Sequence, residues 1–197
     1  MSNRVPDLPI LGEPLIAEFA NTFYVDAATR LDVLDHPSWI AAWFRQAPCA
    51  TAVAHPERLR SRDVARLRVL RDAVRGLLEC RRVCRAADID VINTAARPGM
   101  SQRRLASSGA GELEVVVGVG SHGIEGVLAS IALRVIGAVE NGTFDLYRVC
   151  DRPGCNLYYF RDHHRRRYCN VRCANADRQA RYNARRAEAP PRQITAR

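Results

Sequence analysis

Four cysteines crowd into one short stretch near the C-terminal end, "CDRPGCNLYYFRDHHRRRYCNVRC", from Cys150 to Cys173. Their spacing is Cys150-x4-Cys155-x13-Cys169-x3-Cys173, tight at both ends and loose in the middle. Four thiolates supply the complete shell of a tetrahedral zinc ion. The residues between them can bring the two pairs together. "FDLYRVC" reads as a strand running into a knuckle, "DRPG" as a turn, and "NLYYFRD" as a strand returning antiparallel. "HHRRR" reads as a loop. Asn170 reads as the N-cap of a closing helix with Cys173 in its first turn. Knuckle, hairpin and helix make a treble-clef-like finger. The segment has few large apolar residues, so a metal staple matters: structural zinc contributes on the order of 10 kcal/mol to folding. A disulfide pair would need an oxidising compartment. A redox site would usually offer C-x2-C, which is absent. His163 or His164 could replace one cysteine, but four thiolates already complete the shell.

The charge is as localised as the cysteines. From Arg148 to Arg197 there are thirteen arginines against four acids; from Met1 to Tyr147, seventeen against seventeen. The whole net charge of +9 therefore lies in the last quarter of the chain. A one-signed field on a small module points to a polyanionic partner. All the basic residues are arginine, which codon bias explains as readily as selection; their location carries more meaning than their type. On a helical wheel Cys173, Ala176, Ala180, Ala184 and Ala187 share one narrow face, expected to pack on the hairpin, with arginines opposite. The candidate phosphate contacts are Arg165, Arg166, Arg167, Arg178, Arg181 and Arg185.

The region before the finger carries mostly helical periodicity. Residues 13–25, 35–47 (with Ser38 as N-cap), 56–87, 88–97 and 123–142 read as helices. "SQRRLAS" and "ELEVVVGVG" flank "SGAG" and read as a β-hairpin. The fold class expected is mainly α with a small hairpin (α+β) over residues 1–142, a treble-clef-like zinc finger over 143–188, and a disordered basic tail over 189–197. Cys80 and Cys84 sit four apart on the long helix and read as structural thiols; Cys49, His36, His55 and His122 are single and read the same way. No set of acid, base and nucleophile emerges, so no catalytic residue is assigned and no enzyme is expected. No secretory signal or membrane span is legible, so the expected location is cytoplasmic, at the nucleoid if DNA is the partner.

Cys150, Cys155, "DHHRRRYC" and "CNVRCANADRQARYNARR" together resemble the CGNR-type zinc finger. The N-terminal "LIAEFANTF" resembles the signature that opens the ABATE domain preceding such fingers, with Asn21 and Thr22 matching and Glu18 where Asp is usual. Ala174 and Ala176 stand where the finger's name-giving Gly and Arg would be, and Tyr168 replaces a Trp. The resemblance implies a stress-induced transcriptional regulator, with RNA binding also suspected for the family.

The reading is thus a DNA-binding regulator with one structural Zn²⁺ on Cys150, Cys155, Cys169 and Cys173. The helical region would sense a small-molecule effector, dimerise or bind a partner, and no membrane is involved. One rival is RNA binding, with Tyr158, Tyr159 and Phe160 as stacking surfaces. Another is an enzymatic or small-molecule-binding helical domain with a purely structural finger. A third makes the finger a protein-interaction module, against which its charge argues.

Overall fold

The computed structural model describes residues 8–26, 29–47, 59–80, 84–99, 103–107, 113–117 and 123–188. The readings of Cys49, His55 and His122, and of the tail from 189, concern residues outside that set.

Helix α1 (Leu15–Ala20) is short and buried on every side. The apolar spacing of 13–25 predicts a single helix, but the chain turns at Asn21–Thr22 and leaves as strand β1 (Phe23–Asp26), paired antiparallel with β2 (Thr29–Asp32). The Thr22 hydroxyl donates back to the Phe19 carbonyl at 2.7 Å, ending the helix. Phe, Tyr and Val then favour extended backbone. Apolar residues at 19, 20 and 23 fit either period, so the spacing could not distinguish the two.

Helix α2 (Pro37–Gln46) starts one residue before the expected N-cap Ser38. Pro37 takes the first helical position, where its missing N–H is no loss. The helices expected over 56–87 and 88–97 are α3 (Ser61–Glu79) and α4 (Ala86–Ala96), with the break between them earlier than expected. The backbone is extended at Cys80, and Arg85 forks onto Asp88 to start α4. The two helices pack closely at Gly76, where a Cβ would collide with Asp88 Oδ2. Cys80 caps α3 and Cys84 precedes α4, so they do not share a helix face, although their side chains hydrogen-bond.

Strands β3 (Arg103–Ser107) and β4 (Leu113–Val117) pair antiparallel as expected; their turn lies outside the described residues. Helix α5 (Ile124–Glu140) follows and closes at Gly142, whose φ of 67° is readily adopted only by glycine. Strands β5 (Tyr147–Val149) and β6 (Tyr158–Phe160) and helix α6 (Val171–Glu188) follow. The architecture is mainly helical, and among the described residues two small hairpins precede the finger instead of one.

Helix α1 lies against α3, α5 and β6. Phe19, Leu67, Leu70, Val74, Val127 and Ile131 form a continuous apolar core that extends into Tyr158, Tyr159 and the cysteines. The helical region and the finger thus share one interior. Arg71 is buried within the helical part and is neutralised by Asp32 at 2.6 Å and Asp72 at 3.1 Å. Among the described residues no helix is long and apolar enough to cross a membrane.

Candidate metal centre

The four cysteines converge as their spacing implies. All four Sγ atoms lie within 4.8 Å of one another. The Cys169–Cys173 separation is 3.6 Å; Cys155 lies 3.9 Å from both. A tetrahedral ion with Zn–S bonds of about 2.3 Å requires S···S edges of about 3.8 Å. The cage therefore has the dimensions of a tetrahedral thiolate site, and these residues could hold a metal ion.

Each ligand is placed by local chemistry. The Cys150 N–H donates to Leu157 O at 2.9 Å and the Cys155 N–H to Arg152 O at 3.0 Å, closing the knuckle. Gly154 supplies the left-handed residue there, with φ of 80°. Asn170 Oδ1 accepts from the Cys173 N–H at 2.9 Å, the expected N-cap bond. The Cys169 N–H points at Cys150 Sγ at 3.5 Å, tying the two halves of the cage. Ala174 is helical, so that position needs no glycine. Arg152 reaches Cys173 Sγ at 3.8 Å, placing a positive charge beside the thiolates. His163 and His164 stack on each other in an exposed loop and are not among the clustered ligand atoms.

Four thiols this close cannot all ionise without a cation. Hydrogen bonds from Cys155 and Cys169 hold the Cys150 thiol far below its usual range, at about 2. The same contact with Cys150 pushes Cys155 up to about 12 and pushes Cys169 up strongly. A divalent ion would reverse this by replacing the shared protons.

The six candidate arginines differ in placement. Arg165 is exposed, and its guanidinium has no hydrogen-bond or ion-pair partner among the described residues; the same holds for Arg185. Arg178 is exposed, with a 3.3 Å contact to Asn175. Arg167 pairs with Asp151 at 2.8 Å and remains mostly exposed. Arg181 pairs with Asp177 and donates to the Tyr168 hydroxyl at 3.0 Å. Arg166 turns inward. It pairs with Glu13, donates to Phe160 O at 3.1 Å and Cys169 O at 3.0 Å, and stacks over Tyr159. Five of the six lie outward; Arg166 is committed inside.

Two further expectations change. The alanine face of α6 does not pack along its length: Ala176 is half-buried, but Ala180, Ala184 and Ala187 are exposed. From Arg178 to Ala187 every side chain is exposed, so the helix leaves the body after its second turn. Nor do the hairpin aromatics offer stacking surfaces. Tyr158 and Tyr159 are each 2 % exposed, and Phe160 packs edge-on against Tyr147. Neighbouring strand residues face opposite ways; here both faces are covered. The Tyr158 hydroxyl reaches Glu79 at 2.6 Å, and that of Tyr159 reaches Arg166 O at 2.9 Å.

Sequence reasoning missed how the finger is fastened. The outer edge of β6 is paired by side chains from the N-terminal segment. The Asn21 side chain donates to Tyr158 O at 2.9 Å and accepts from Tyr158 N at 2.7 Å. Glu13 Oε2 accepts from Phe160 N at 2.9 Å. From the finger, Asn156 Oδ1 accepts from Val25 N at 2.9 Å. The one available signal is the match of Asn21 and Thr22 to the N-terminal signature.

Comparison with protein families matches both regions. The ABATE family, described as "Putative stress-induced transcription regulator", matches residues 13–141. The CGNR zinc finger matches residues 147–186. No curated protein matches the chain.

Proposed function

The chain belongs to the ABATE family and ends in a CGNR zinc finger, and from that premise we propose that it is a zinc-dependent DNA-binding transcriptional regulator of the cytoplasm and nucleoid. The observation that carries this reading is the outer half of α6. Arg178, Arg181, Arg185 and Arg186 stand on a helix segment exposed on all sides. At 100° per residue Arg178, Arg181 and Arg185 fall within a 60° sector and span about 10 Å of helix. An α-helix is about 10–12 Å wide, and the major groove of B-DNA is about 12 Å wide. A bare, basic, projecting helix fits that groove, whereas the deep, narrow major groove of A-form RNA excludes it. Burial of Tyr158 and Tyr159 removes the stacking platform that a single-stranded RNA reading would use.

One Zn²⁺, held by Cys150, Cys155, Cys169 and Cys173, would supply a cross-link between the knuckle and the root of α6. Four thiolates leave it no open position, so its role is structural and the protein is read as a binder, not an enzyme. The phosphate contacts assigned are Arg165, Arg167, Arg178, Arg181 and Arg185. Arg166 is left out because its guanidinium is committed to Glu13 and three backbone carbonyls.

The test is a salt titration of binding to duplex DNA, with single-stranded RNA as competitor. Replacing Arg178, Arg181 and Arg185 together by Gln should weaken binding and reduce the slope of log K against log salt by about 3 × 0.9. An unchanged slope, or preferential capture by the RNA, would overturn the reading.

A further inference from the structure

We infer that the N-terminal segment fastens the metal cage, with Glu13 acting as a positioning residue for Cys169 through Arg166. The inference rests on the reading of the four cysteines as a metal site and adds a control that no cysteine supplies.

Glu13 lies far from the finger in sequence and only 6 % of its side chain is exposed. One carboxylate oxygen pairs with Arg166 and the other accepts from Phe160 N. Arg166 spends its donors around a single corner. Nη1 reaches Phe160 O at 3.1 Å, Nη2 reaches Cys169 O at 3.0 Å, and Nε points at Tyr168 O at 3.4 Å. Its plane lies over the Tyr159 ring with the guanidinium carbon 4.8 Å from the centroid. The guanidinium therefore joins the end of β6 to the backbone of a ligand cysteine. The amide of that cysteine points at Cys150 Sγ, so Cys169 is the hinge between the two halves of the cage.

A guanidinium that is three-quarters covered needs a counter-charge. Without the charge on Glu13, the alternative is Asp162, which is mostly exposed and lies 3.5 Å from Nη1. Arg166 would swing toward it and release Cys169 O. The first thiolate to detach then does so more readily, because the backbone that returns it is loose. Groups that orient ligands in this way typically contribute 10- to 100-fold in metal affinity. A consequence is linkage: anything that displaces residues 13–21 alters metal retention, and metal loading in turn stabilises that segment.

The experiment uses the full chain loaded with Zn²⁺, a chromophoric chelator in excess, and the rate of metal transfer as readout. Far-UV circular dichroism is recorded alongside to show that the helices stay folded. Glu13→Gln keeps an oxygen for Phe160 N but loses the charge, and should speed release about tenfold or more. Arg166→Lys keeps the charge toward Glu13 but loses the fork, and should speed release likewise, giving a second route if the first variant folds poorly. Asp151→Asn breaks an exposed ion pair beside Cys150 and should leave the rate unchanged. Release at the wild-type rate in both Glu13→Gln and Arg166→Lys overturns the inference. A wild-type chain that takes up no Zn²⁺ overturns the metal reading itself, and the inference with it.

Discussion

Replacing Asn21 by Ala tests whether the finger is a separate module or part of one folded unit. Strand β6 is two-sided: Tyr159 faces β5 in the ladder, and the backbone N–H and C=O of Tyr158 point away from it. Asn21 closes that free edge as a one-residue third strand, and its side chain is 1 % exposed. Truncation to Ala leaves one buried donor and one buried acceptor without partners. Each such group costs about 1–3 kcal/mol, so Asn21→Ala should lose about 2–6 kcal/mol, with about 4 as the central value. For a chain of this length about 1 kcal/mol shifts Tm by about 2–4 °C, giving a drop of about 8–16 °C.

Asp is the sharper probe at the same position. It keeps the acceptor for Tyr158 N but turns a carboxylate oxygen on Tyr158 O. At neutral pH Asn21→Asp should be at least as damaging as Ala. Its folded-state pKa would be raised, so stability should recover as pH falls and the protonated oxygen becomes a donor. Thermal melts from pH 4 to 8, with amide exchange at Tyr158, report both effects. Asn93→Ala, on the exposed face of α4, is the control and should stay within about 0.5 kcal/mol. A loss below about 1 kcal/mol for Asn21→Ala, or undiminished protection of the Tyr158 amide, would refute the one-unit argument.

Chelation or Cys150→Ser should abolish protection across residues 147–186 in hydrogen exchange, with Zn²⁺ restoring the chelated protein but not the variant. Acidification should also release the metal, because Cys155 and Cys169 hold their protons tightly without it; chelator competition across pH 5 to 8 reads this directly. Asp177 takes up Arg181, so Asp177→Asn should free that guanidinium, tighten DNA binding and steepen the salt slope by up to about 0.9; weaker binding would instead make the pair a support for α6. Burial raises the Glu18 carboxyl pKa above 4.5, and its Oε2 has no hydrogen-bond partner among the described residues. Stability from the protonated form is therefore present at low pH and lost as pH rises through and above 4.5. Glu18→Gln should be more stable than wild type at pH 7, and that advantage should vanish near pH 4 in paired denaturation curves.

What could be read from the residues alone was whatever depends on local spacing. Cys-x4-Cys and Cys-x3-Cys fix two half-sites, Pro153–Gly154 fixes the knuckle, and Asn170 caps α6. Each works within a few residues, and each is found in place. Helix α5 was equally legible because its apolar period ends at a glycine. What was lost depends on contacts across long sequence separations. Glu13 and Arg166 are 153 residues apart, and nothing in either neighbourhood announces the other. In a run of three arginines the inward one cannot be told from its neighbours, since all have the same charge. The position of the break between α3 and α4 was hidden for a related reason. It depends on α4 folding back onto Gly76, a tertiary contact, while the local residues remain acceptable helix formers.

The same fastening constrains how the basic helix can be used. The root of α6, up to Asp177, is held against the body. Cys173 anchors it to the cage, and the Tyr168 hydroxyl anchors it to Asp177 at 2.6 Å. Beyond that, among the described residues, Arg181 alone reaches back, to the Tyr168 hydroxyl at 3.0 Å; the helix is continuous, so its direction is set by its root. The root is set by the cage, and the cage through Arg166 by Glu13 and through Tyr158 by Asn21. A finger on a flexible tether would let the helical region tumble relative to bound DNA. Here α6 cannot enter a groove without fixing the orientation of α1, α3 and α5. The missing family arginine at 176 bears on this geometry more than on charge. Ala176 is half-buried at the root, where Arg172 is exposed, and the other exposed arginines of α6 follow from Arg178. On the proposed reading the DNA contact would run from Arg165 and Arg167 beside the cage outward to Arg178, Arg181 and Arg185, with no arginine at 176 between them.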